Sequence, residues 1–126
     1  SKMITAVVLN KESQNRLLAH FQGLIPANWE KIAHHMTVNM GSMESGPLAQ
    51  TEYQLNQNVE LTVVSYAYDD KVIAAGVETD VPSGNAVKHI TLGVNRSGSG
   101  KPVMSNQITN WQQTSPIVLT GVIQQY

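Results

Sequence analysis

Two triplets, His35-Met36-Thr37 and His89-Ile90-Thr91, carry residue types that could do chemistry together. Side chains two apart on an extended strand leave the same face, so each triplet would present an imidazole beside a hydroxyl. A pair of imidazoles suits acid–base work near neutral pH, one neutral and one protonated, because the ordinary histidine pKa is ~6.5. A hydroxyl can donate to an oxygen that is gaining negative charge. Hydrolysis of a phosphodiester without a metal needs these parts: a base for water, an acid for the departing oxygen, and donors for the phosphoryl oxygens. The residues thus predict His35 and His89 as the acid–base pair, with base and acid unassigned between them, and Thr37 and Thr91 as phosphate donors. One His-x-Thr is ordinary strand composition. Two of them, 54 residues apart in a chain with four histidines, are a sharper signal.

Strands must hold these triplets. Alternation over 34–40 puts His35, Thr37 and Asn39 on one face and His34, Met36, Val38 and Met40 on the other. Over 86–95, Val87, His89, Thr91, Gly93 and Asn95 share a face, opposite Ala86, Lys88, Ile90, Leu92 and Val94. The apolar faces would pack beneath helices and leave the His/Thr faces to line a groove. His34, on the far face, is read as structural, as is His20 at the end of the first helix. The remaining pattern predicts a strand over 3–9 and a helix over 11–22, capped by Asn10 or Ser13 and ended by Gly23. A turn region follows over 26–31, then a polar irregular segment over 42–56. Strands over 58–68 and 71–79 turn at Asp69-Asp70, Pro102 opens a short helix to about 111, and a last strand covers 117–125. The order β-α-β-β-β-β-α-β predicts an α+β domain with antiparallel hairpins.

Further binding residues are expected on the same logic. Asn39 shares the reactive face and could orient a substrate. Tyr66 and Tyr68 share one strand face and form a candidate platform for a base. Lys101, Ser105 and Asn106 follow the second triplet near a predicted helix start and could donate to phosphate. Hydroxyls are poor zinc ligands, so the two threonines speak for a site with neither metal nor cofactor.

At these residues the chain resembles the 2H phosphoesterase superfamily, which takes its name from paired His-x-Thr/Ser motifs. The runs 33–38, 88–92 and 101–106 are similar to the flanks of its small RNA-repair-like and cyclic phosphodiesterase members. The resemblance implies a bilobal fold, with two antiparallel β-sheet lobes around a central cleft and two helices outside. It also implies metal-independent hydrolysis of 2′,3′-cyclic phosphates, related cyclic phosphodiesters or 2′-5′ linkages. Phage relatives degrade the cyclic oligonucleotides of bacterial immune signalling. The competing reading is a module that binds a nucleotide or a partner on this scaffold without turnover.

Composition narrows the field. The chain has 126 residues, a formal net charge of −1, 13% charged residues and no cysteine. That suits one domain over 1–126 and excludes a disulfide framework or thiolate chemistry. Little net charge argues against duplex DNA binding and favours a small nucleotide or an RNA end as the partner. The apolar run over 4–9 is too short for a signal peptide. No run approaches the ~18 apolar residues of a membrane span, so a cytoplasmic location without membrane contact is expected.

Overall fold

The computed structural model describes residues 2–126. Its strands are β1 (Ile4–Leu9), β2 (Glu30–Lys31), β3 (His35–Met40), β4 (Asn58–Tyr68), β5 (Val72–Glu78), β6 (His89–Val94) and β7 (Gln112–Gln125). One α-helix, α1 (Lys11–His20), follows β1. Asn10 caps it, its side-chain oxygen accepting from the Ser13 amide at 2.8 Å. The Ser13 hydroxyl in turn accepts from the Thr120 amide at 2.8 Å and ties the helix to β7. Leu17, together with Phe21 just past the helix end, turns inward and is buried.

The strands hydrogen-bond in the order β2-β6-β3-β1-β7-β4-β5, and β5 pairs back onto β6. Six strands therefore close into an antiparallel barrel, with β2 added beside β6. The protein is mostly sheet, within the α+β class. Two separate sheet lobes were expected, but the pairings join all strands in one sheet. The cause is β1, which takes β3 on one edge and β7 on the other, while β5 bridges β4 to β6. Alternating residues fill the interior: Val7, Met36, Val38, Leu61, Val63, Ile90, Leu92, Leu119 and Ile123 are fully buried.

Several expected elements differ. The turn region over 26–31 holds the short strand β2, and the helix expected over 11–22 ends at His20, capped by Phe21 rather than Gly23. The helix over 102–111 is a 3₁₀ segment, Pro102–Gln107, after which Ile108 returns to extended geometry. It is tight because Met104 N–H donates back to the Lys101 carbonyl at 3.0 Å. Strand β7 begins earlier than expected and contains Pro116, which has no amide to donate. It is tolerated because the β4–β7 register slips between Val63 and Ser65. Among the described residues no helix is long and apolar enough to cross a membrane.

Gly100 locks the loop from β6 to the 3₁₀ segment. Its amide donates to the Asn95 carbonyl at 2.7 Å. A Cβ there would meet the Lys71 carbonyl and sit 2.8 Å from the Asn95 carbonyl oxygen, both backbone atoms. Gly100→Ala is expected to destabilise the fold by ~1–3 kcal/mol, read as a lower urea midpoint.

Candidate active site

Strands β3 and β6 lie side by side, and the paired residues are Met36 and Ile90, the middle residue of each triplet. Both are fully buried, so the residues flanking them face the other way. The strands run antiparallel, so His35 and Thr91 leave the bridge on one side and Thr37 and His89 on the other. The strands part beyond this bridge. There the Ser83 hydroxyl donates to the Thr37 carbonyl at 2.9 Å and Gly84 N–H to the Val38 carbonyl at 2.7 Å. A cavity of about 400 Å³ opens over the four residues. Asn85 and Asn106 add polar groups to it, and Ile4, Ile32, Met40, Pro102 and Val103 form its apolar walls.

His89 is buried, and its Nδ1 lies 2.7 Å from the Val87 carbonyl. A carbonyl only accepts, so Nδ1 carries a proton and Nε2 is left for the cavity. The Thr91 hydroxyl is 2.9 Å from that of Ser105, which is itself buried. Ser105 thus stands behind Thr91 as its partner.

His35 is held differently. Ala33 has φ 46°, a left-handed conformation that costs an alanine about 1–3 kcal/mol. Its amide donates to the Thr91 carbonyl at 3.0 Å, yet the next pair across the seam is Met36–Ile90. Three steps on one strand match one on the other, so His34 and His35 bulge out together. Their Nδ1 atoms are 3.0 Å apart and their rings meet edge to face at 5.2 Å. The expectation that His34 faces away from His35 assumed regular alternation, which the Ala33 turn breaks. Burial, then His34 and His89, lower the His35 pKa from 6.5 to about 4. The Tyr126 ring stands edge-on to both imidazoles at 6.4 Å.

The other expected binding residues divide. Asn106 lines the cavity. Lys101 is exposed and outside the lining. Tyr66 and Tyr68 stack on each other at 6.4 Å, and Tyr66 packs on Phe21 at 5.7 Å, away from the cavity. Asn39 is turned aside by a bulge: β1 pairs Thr5 with Asn39 but Ala6 with Thr37, leaving Val38 as the extra residue. Alternation restarts there, so Met40 emerges onto the cavity face. The Asn39 amide instead donates to the Met40 and Ser42 carbonyls at 3.2 and 3.0 Å. The lining residues Ile4, Ile32, Met40 and Asn85 gave no functional signal in the sequence, and Pro102 and Val103 only as part of the run 101–106; loop and bulge geometry brings them in. A larger concavity, about 830 Å³, carries Glu60, Glu78 and Asp80, carboxylates that would repel a phosphate.

Two imidazoles and two hydroxyls converging on one small cavity are the equipment of a phosphoesterase. The chain belongs to the family of fungal tRNA ligase phosphodiesterase domains, whose family model matches residues 14–123, and so is a 2H phosphoesterase-type domain. That family performs cyclic phosphodiester hydrolysis, which makes the domain a hydrolase. No curated protein matches the chain.

Proposed function

We propose that the domain hydrolyses a 2′,3′-cyclic phosphate on a nucleotide or an RNA end by acid–base catalysis between two histidines. His35 is the base. Its low pKa keeps it neutral at physiological pH, and Nδ1–H donation to His34 would leave an Nε2 lone pair for water. His89 takes the complementary role of acid, its Nδ1 held by the Val87 carbonyl and its Nε2 left for the cavity. Water attacks phosphorus as His35 takes its proton. The bond to one ribose oxygen breaks as His89 protonates that oxygen, and a phosphomonoester remains. Thr37 and Thr91 donate to the non-bridging oxygens. The observation that supports this reading is the cavity of about 400 Å³ that His35, Thr37, His89 and Thr91 all line.

The test is turnover of adenosine 2′,3′-cyclic phosphate with the product resolved by chromatography, repeated with a chelator present. Conversion to a single monophosphate that survives chelation supports the proposal; no conversion of any cyclic phosphate offered sinks it. Thr91→Val should lower kcat by ~10²-fold, as removal of a transition-state donor does. Ser105→Ala should cost less, since it acts only through the Thr91 hydroxyl.

A further inference from the structure

We infer that Met40 and Val103 clamp the base of a single nucleoside cyclic phosphate, so that the site selects its substrate by one base and one phosphodiester. The inference rests on the phosphodiester reading above. Met40 at 67% and Val103 at 64% are the two most exposed large hydrophobic side chains among the described residues, and both line this cavity. Exposed apolar groups collected at one cavity signal a ligand surface. They rise on opposite sides of the seam: Met40 ends β3, and Val103 sits on the 3₁₀ segment that packs against β5 and β6. The Val38 bulge is what turns Met40 outward.

Two exposed apolar groups on one cavity suit the faces of a flat ring. A thioether packs well on an aromatic face, and every base has such a face, so the grip is tolerant of base identity. The imidazoles and threonines below are occupied by one phosphate. None of the residues lining the cavity is Lys, Arg, Asp or Glu, so a second phosphate gains no counter-charge there. The volume, about 400 Å³, falls at the lower end of the ~300–1,000 Å³ typical of small-ligand sites. It fits one nucleotide rather than a strand.

Steady-state kinetics on Met40→Ala, Val103→Ala and the double variant test this. Each substitution should raise KM for adenosine 2′,3′-cyclic phosphate by ~3–10-fold, the loss of one apolar contact with an aromatic ring, with kcat nearly constant. Glycerol 1,2-cyclic phosphate, which has no base, should be insensitive to the same substitutions. Adding a 5′-phosphate to the adenosine substrate should not improve KM. Unchanged KM in the double variant, or equal losses with the base-free substrate, overturns the clamp. Calorimetry with adenosine 2′-monophosphate reads the same contacts without turnover. Weaker binding by the alanine variants supports the clamp even if the wild type hydrolyses nothing, a result that would overturn the catalytic reading alone.

Discussion

Replacing either His35 or His89 by alanine is expected to lower kcat/KM for a nucleoside 2′,3′-cyclic phosphate by ~10²–10⁴-fold, the range for loss of a general acid–base catalyst. Each imidazole has a separate half of the proton traffic, so neither can cover for the other. The double variant should be little worse than the worse single one, because groups that act as a unit are not additive. His89→Gln keeps a donor near the Nε2 position and cannot exchange a proton, so it should be as inactive as alanine. Circular dichroism of each variant separates lost chemistry from lost fold. Wild-type rates in both single variants would refute the assignment.

Acidification is expected to have the next largest effect, on stability and rate together. The folded protein holds the His35 pKa near 4, against 6.5 for the free side chain. Between those values the unfolded chain binds a proton that the folded protein refuses, so stability rises with pH. The contribution is complete above about pH 6.5 and is lost as pH falls toward 4, on the order of 3 kcal/mol. Urea midpoints for wild type and His35→Gln should converge over that window as pH falls. A wild-type midpoint that does not drop from pH 6.5 to 4 more than that of His35→Gln would refute the shift. In kinetics, kcat/KM reports the free enzyme, so its acid limb should lie near pH 4, far below an ordinary histidine. His34→Ala removes one cause of the depression and should move that limb upward.

Much of the local structure is legible in the sequence. Strand β4 follows the alternation over 58–68, and β3, β5 and β6 lie within their expected spans. The four motif residues that line the cavity are legible for the same reason, since a two-residue period places His and Thr on one face within each triplet. What is not legible is anything set by pairing. Alternation does not say which strands become neighbours, so the closure through β5 and β6 had no local mark. Nor does it show where alternation resets. The bulge at Val38 exchanged Asn39 for Met40 in the cavity, and the Ala33 turn brought His34 to His35. The two tyrosines share a face as expected, but that face belongs to the Phe21 side of the barrel.

Barrel closure also has a consequence for how the chain acquires its shape during synthesis. Strand β1 precedes every other strand, yet one of its two edges waits for β7, which spans Gln112–Gln125. The seam that bears the histidines likewise joins segments 54 residues apart. Contacts of such separation form late, because the intervening chain must be gathered first. A nascent chain stalled before β7 would hold both triplets with an unclosed sheet around them. Competence should therefore appear once β7 is available to lie between β1 and β4.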